Sequence, residues 1–353
     1  VGRAMAKDLA KDHNVTSADL SKESLRKLEG HGVETVQADL SDKKVVTNLM
    51  ADYDLVVGAV PGSMGFETLK TIIEAGKNVV DISFFNEDPF LLDELAKNKN
   101  VTAIMDCGVA PGMDNIIVGQ HAQKMKVERF ECLVGGLPKR RSWPFEYKAP
   151  FSPSDVIEEY TRPARIVRDG KLVVLPALSE PELLEFDEIG TLEAFNSDGL
   201  RSLVHTIDAP NKIERTLRYP GHIELMRVLR ETGFFEKEKM KVGGVEVSPL
   251  DVTSKLLFKD WKLGDTEEEF TVMRVIVEGL EDGQQKTYTY DLLDRYDPET
   301  QTSSMARTTG YTCTGAANLV LSGKYTRKGI SPPEFIGEAG PVSYTHLTLP
   351  TTY

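Results

Sequence analysis

Four aspartates stand where a short strand pattern ends: Asp19 after Val15 to Ala18, Asp39 after the stretch closing at Ala38, Asp81 after Val79-Val80, and Asp106 after Val101 to Met105. A carboxylate so placed can accept hydrogen bonds from sugar hydroxyls or take a proton from an amine. Gly2 heads a helical pattern (Ala4, Met5, Leu9), and Gly58-Ala59-Val60-Pro61-Gly62 closes a further apolar run. Small residues there leave room for a ligand, although Pro-Gly is turn chemistry in any setting. Cys107, Cys132 and Cys313 show neither C-x-x-C nor Cys/His ligand spacing, so no metal centre or disulfide framework is expected.

The elements that must position these acids alternate. Helical patterns at 3–11, 22–31, 42–51, 64–76, 88–98 and 113–124 interleave with strand patterns at 13–18, 34–38, 54–60, 78–82 and 101–106. Helical crossovers of this length require parallel strands, which predicts an α/β, Rossmann-like doubly wound sheet. Only one glycine of a G-x-G-x-x-G fingerprint is present. Gly2 reads as its third, because an acid is expected about 20 residues into the unit and Asp19 stands there. An acid at that point favours NAD over NADP, Lys22 softens the preference, and a cap on the following helix is the competing role for Asp19. Since the chain opens on the helix, the first and central strand of the usual order is expected to be missing, which would leave two neighbours without ladder partners.

Residues 127–302 change character. Strand patterns at 130–134, 171–175, 270–278 and 286–292, with helical patterns at 154–160 and 222–232, predict an α+β substrate and dimerisation domain after a dinucleotide-binding domain at 1–126. A C-terminal helix at 303–340 is expected to return to the first domain despite Gly310 and Gly315. The Thr-rich stretch 341–353 lacks the charges found elsewhere and reads as a non-native tail.

A net charge of -13 argues against nucleic acid and anionic membrane as partners. No apolar run is long enough to span a bilayer and no signal peptide is visible, so a soluble cytoplasmic protein is expected.

Several segments, in order along the chain, resemble the saccharopine dehydrogenase family: AVPG (59–62), VVDIS (79–83), DCGVAPGMDN (106–115), VGGLP (134–138), FEYKAPFSPSDVIEEYTRPAR (145–165), GTLEAFNSDGLRSL (190–203), TLRYPGH (216–222) and MARTTGY (305–311). The long middle segments are most similar to the lysine 6-dehydrogenase branch. The resemblance implies NAD-dependent oxidative deamination of the lysine ε-amine to the 6-semialdehyde in a homo-oligomer. The alternatives are a saccharopine or carboxynorspermidine reductase acting on an imine with NADPH, and a nucleotide-binding protein without catalysis.

Under that resemblance Asp106, Tyr147 and Lys148 are the candidate proton-transfer residues. Gly2, Asp19, Asp39, Ala59, Val60, Pro61, Cys107 and Gly108 are placed beside the cofactor. Asp81, Asn196, Asp198, Arg218, His222 and Arg307 are placed around a small amino-acid substrate. Arg218 is the first choice for an α-carboxylate, because a guanidinium grips one with two parallel hydrogen bonds. An ion pair is the competing role for any such arginine, a packing turn for Asp81, and a helix start for His222.

Overall fold

The computed structural model describes residues 1–149 and 153–338, without the side chains of 153–155. The tail expected at 341–353 lies outside the described residues. Two compact units are present, one formed by Val1–Gln123 with the chain from Ala306, the other by Lys124–Met305.

The chain begins with α1 (Gly2–Leu9), β1 (Val15–Asp19), α2 (Lys22–Arg26), β2 (Val33–Gln37), α3 (Lys43–Leu49), β3 (Leu55–Gly58), α4 (Gly62–Glu74), β4 (Asn78–Asp81), α5 (Asp93–Asn98), β5 (Thr102–Ile104) and α6 (Met113–Ala122). The second unit holds β6 (Lys126–Pro138), α7 (Pro153–Thr161), β7 (Ala164–Arg168), β8 (Lys171–Leu175), β9 (Glu182–Phe186), β10 (Gly190–Asn196), α8 (Leu203–Thr206), β11 (Asn211–Arg218), α9 (His222–Glu231), β12 (Met240–Val242), β13 (Val245–Val247), α10 (Pro249–Trp261), β14 (Glu269–Glu281) and β15 (Gln284–Arg295). Helix α11 (Ser304–Leu321) then leads to β16 (Gly329–Ser331) and α12 (Pro333–Glu338).

In the first unit β3, β4, β5 and β16 form a parallel sheet in the order β16-β5-β4-β3. Alternation along β4 sends Val79 into one apolar cluster, with Leu69, Ile72, Phe85 and Ala96. Its neighbour Val80 enters another, with Met5, Ile104, Ile116, Cys313 and Ala317. Both sheet faces are therefore covered, the doubly wound arrangement that the sequence predicts. Strands β1 and β2 make a separate parallel ladder, and Tyr53 Oη–H, just before β3, donates to Thr16 Oγ1 of β1 at 2.6 Å. Helix α11 tolerates Gly310 because α1 packs there: a Cβ on residue 310 would sit 3.1 Å from Met5 Cγ.

The second unit is a mixed sheet. Its main path runs β15-β14-β6-β11-β10-β9, with β7 and β8 joined to it through β11. Strands β6 and β11 are parallel, whereas β14 lies antiparallel to both β6 and β15. An apolar core that includes Leu133, Leu217, Phe195, Tyr160, Met226 and Trp261 joins strand residues to α7, α9 and α10. Among the described residues no helix is long and apolar enough to cross a membrane.

Candidate functional site

In the first unit the strand ends deliver the predicted acids. Asp19 closes β1, and its Oδ1 accepts the Ser21 N–H at 2.7 Å. Ser21 is the residue that caps α2, its Oγ accepting the Ser24 N–H, so the capping role weighed for Asp19 belongs to its neighbour. Asp19 Oδ2 has no partner among the described residues. Asp39 is exposed and accepts both the backbone N–H and the hydroxyl of Ser41, which holds its carboxyl below the usual range. The Ala38 N–H donates to the Asp19 carbonyl at 3.1 Å, so the two acid-bearing strand ends are neighbours.

The next strand ends are buried. Gly58 of β3 pairs in register with Asp81 of β4, and the Cys107 N–H donates to the Asp81 carbonyl at 3.0 Å. The Asp81 carboxylate accepts the Ser83 N–H at 2.7 Å. Burial pushes its pKa up to about 7, the Ser83 bonds oppose that rise, and the nearby charge of Asp106 adds to it. Asp106 is buried in left-handed backbone (φ 54°), an uncommon conformation for a residue with a side chain. Burial raises the Cys107 thiol, followed by the charges of Asp106 and Asp81, so a reactive thiolate does not form there. After Cys107 the chain turns through Gly108 into α6. Gly112, at φ 142°, lies so close to Gly108 that a Cβ would be 2.0 Å from its carbonyl oxygen, and its N–H donates to Asp114 Oδ1 and Asn115 Oδ1.

These features fit a dinucleotide. Gly2 opens α1 beside the β3 tip, where a Cβ on residue 2 would meet only Ala59 Cβ, at 3.9 Å. Ala59 and Pro61 are exposed and Val60 is half-buried. A small-residue approach to a helix start, with a carboxylate oxygen free at β1, is what phosphate and ribose groups require. Among the described residues no three His, Cys, Asp or Glu side chains are grouped to hold a metal ion.

The second unit gathers Tyr147, Arg218 and His222 into one buried cluster. Arg218, 2% exposed, ends β11; its Nε–H donates to Tyr160 Oη at 3.0 Å, Nη1 to the Leu217 carbonyl at 2.9 Å and Nη2 to Glu159 at 2.7 Å. A guanidinium has five N–H groups, so one on each Nη has no partner among the described residues. The guanidinium carbon lies 4.5 Å from the Tyr147 ring centre and 5.7 Å from that of Tyr160, a cation held between aromatic faces. Tyr147 Oη and Trp261 Nε1 are buried without hydrogen-bond partners among the described residues, and their rings are 5.4 Å apart. Burial raises the Tyr147 hydroxyl well above its ordinary range, making it a donor. His222 opens α9, as weighed, yet is buried, with Nδ1 2.8 Å from the Phe145 carbonyl and Nε2 2.9 Å from Tyr160 Oη. Burial and the Arg218 charge push it down to about 3, so it stays neutral.

The remaining predicted residues lie apart from this cluster's hydrogen bonds. Lys148 is half-buried and pairs with Glu267 at 2.9 Å. Asp198 is gripped by Arg165 through Nε and Nη2, at 2.8 and 3.0 Å. Asn196 donates to Ser179 and Glu180, and its Oδ1 is buried without a partner among the described residues. Arg307, in the first unit, is half-buried on α11. Sequence reasoning singled out neither Glu159 and Tyr160 nor Trp261. The first two lie within the 145–165 segment, and their signal was an acid beside an aromatic on an amphipathic helix.

Comparison with known proteins places the chain among them as follows. The family model described as the saccharopine dehydrogenase NADP binding domain matches residues 1–104, and that of the saccharopine dehydrogenase C-terminal domain matches 108–344. Over 276 residues the chain is 27% identical to the alpha-aminoadipic semialdehyde synthase of Arabidopsis thaliana, covering 73% of this chain and 26% of that protein. It is 28% identical over 260 residues to the saccharopine dehydrogenase (NADP(+), L-glutamate-forming) of Pyricularia oryzae, covering 69% of this chain and 57% of the fungal protein. The chain thus spans about half or less of the length of these relatives. In fold it is similar to apo saccharopine dehydrogenase (L-Glu forming) from Saccharomyces cerevisiae, with a TM-score of 0.77, 20% identity and 97% and 94% of the two chains covered. Since the second match alone takes in more than half of the sequence, the chain belongs to the saccharopine dehydrogenase family.

Proposed function

We propose that this chain is an oxidoreductase that uses a nicotinamide nucleotide at the amine-bearing carbon of an amino acid, and that within this class it oxidises the ε-amine of L-lysine with NAD. The observation that carries the reading is the buried Asp81–Asp106 carboxylate pair at the ends of β4 and β5. The nucleotide, when bound, supplies the hydride acceptor. Asp106 takes the proton that the substrate nitrogen gives up, and Asp81 is the second acid facing the amine. Water adding to the resulting carbon–nitrogen double bond, with loss of ammonia, gives the 6-semialdehyde.

Two further features support the finer assignment. Asp19, with one carboxylate oxygen unengaged, and the ionised Asp39 at the next strand end suit ribose hydroxyls and repel a 2′-phosphate. Around Arg218, two guanidinium N–H groups, the Tyr147 hydroxyl and the Trp261 indole N–H lack acceptors among the described residues. Buried donors without acceptors cost free energy that a carboxylate would recover, so the second unit by itself offers a place for a carboxylate. The test is to mix the protein with L-lysine and NAD, or NADP, from neutral to alkaline pH and follow reduced nucleotide. Absence of lysine-dependent reduction with either nucleotide would reject the lysine assignment.

A second reading is supported by the matched NADP binding domain and by the name of the NADP(+)-dependent fungal relative: a reductase that joins an amine to a semialdehyde through an imine. Its signature is oxidation of NADPH only when both partners are supplied.

A further inference from the structure

The hydrogen bonds around Arg218 have only one consistent direction. The Phe145 carbonyl can only accept, so the proton of neutral His222 sits on Nδ1. Nε2 is then an acceptor and takes the Tyr160 hydroxyl proton, and that committed hydroxyl can receive the Arg218 Nε–H. Arg218, Tyr160 and His222 are each at least 98% buried, and the links are 2.8, 2.9 and 3.0 Å long. Glu159 holds Nη2 from one side and the Leu217 carbonyl holds Nη1. These bonds engage three of the five guanidinium donors and hold the guanidinium over the Tyr147 ring.

We propose that Tyr160 and His222 are positioning residues that set the plane of Arg218, so that its two remaining N–H groups form a fork selective for a substrate carboxylate. This rests on the carboxylate assignment above and adds which residues enforce it. Neither touches substrate or shuttles a proton. Tyr160 orients the arginine; His222, through its tautomer, orients Tyr160. Without the Tyr160 bond only Glu159 and the Leu217 carbonyl would hold the guanidinium, leaving it more freedom to tilt, and a fork out of plane loses the advantage of two parallel bonds.

The experiment uses the full chain with saturating nucleotide and compares L-lysine with 1,5-diaminopentane, the same diamine without the carboxylate. Tyr160→Phe and His222→Asn should raise KM for L-lysine by about tenfold or more, the scale of one charge-assisted hydrogen bond, while kcat and the KM for the diamine stay within about threefold. Asn keeps a donor for Phe145 but removes the acceptor for Tyr160. His222→Gln, which can return an acceptor near the Nε2 position, should recover part of the loss. Equal KM increases for both amines, or no increase in either variant, would overturn the positioning role while leaving the carboxylate assignment standing. A wild-type protein that does not distinguish the two amines would overturn the assignment and the positioning role together. Should Tyr160→Phe fail to fold, the His222→Asn and His222→Gln pair decides the question alone.

Discussion

Gly58 and Asp81 face each other in register across β3 and β4, and the Asp81 carboxylate occupies the space that a side chain at residue 58 would fill: an added Cβ would lie 1.8 Å from Oδ2. The glycine therefore makes room for an acid, on a fully buried strand end where the acid has little freedom to move. Gly58→Ala should displace the carboxylate and cost roughly 1–3 kcal/mol, the range for an overpacked core. Urea unfolding checks the stability loss, and turnover with the best substrate should fall with it. A variant with native stability and activity would mean that Asp81 has room elsewhere.

The raised pKa of Asp81 makes stability depend on pH with a definite sign. In the unfolded chain the group ionises near its ordinary value of 3.8, whereas in the fold it holds its proton until about 7. The folded state thus binds more protons between those values, so this group's contribution makes stability fall as pH rises through that window and level off above it. Asp114 is also raised to about 7, by burial first, and adds to the same trend. Asp81→Asn should flatten the Asp81 share, so that the variant gains on wild type as pH climbs from about 4 to about 8. Denaturant midpoints over that pH series provide the check, and parallel curves for the two proteins would contradict it.

The first unit was legible because its signals are local. Strands β3, β4 and β5 are short, mainly apolar runs, helices such as α1 and α4 are amphipathic stretches, and the acids Asp19, Asp81 and Asp106 stand at or just beyond strand ends in the sequence. The second unit was less so. Strand β11 reads Asn-Lys-Ile-Glu-Arg-Thr-Leu-Arg, a surface pattern by composition, yet Lys212, Glu214, Arg215 and Arg218 are all buried. For the two arginines the partners that permit this are far away in sequence: Glu182 for Arg215, and Glu159 with Tyr160 for Arg218. No spacing rule reports such pairings. The same holds for Lys148, whose partner Glu267 lies 119 residues away.

Asp19 tests the nucleotide preference. One of its oxygens is taken by the Ser21 N–H, and the other has no partner among the described residues, so under the proposed NAD reading it would accept a ribose hydroxyl. Asp19→Ala should weaken NAD binding by about tenfold, since a hydrogen bond to a charged group is worth roughly 1.5–3 kcal/mol. NADP binding should change less, or improve, because the repulsion of a 2′-phosphate is removed. Titration of both nucleotides against the two proteins gives the ratio. Equal losses for NAD and NADP would argue that Asp19 only shapes the turn into α2.

Lys212 separates a structural charge from a functional one. It is 4% exposed on β11, and its Nζ donates to the carbonyls of Leu203 at 2.7 Å, Val204 at 3.1 Å and Ile207, closing the end of the one-turn helix α8. Three carbonyls facing one ammonium substitute for water around a buried cation, and the same ammonium satisfies acceptors that the short helix cannot. Lys212→Met keeps the aliphatic stem but strands those oxygens, which should cost about 2–4 kcal/mol. Since the bonds end in backbone of the same unit, KM for substrate and nucleotide should be unchanged wherever the variant is folded. A stability loss below about 1 kcal/mol would show that water replaces the ammonium at little cost. A selective rise in KM would instead move Lys212 into the binding machinery.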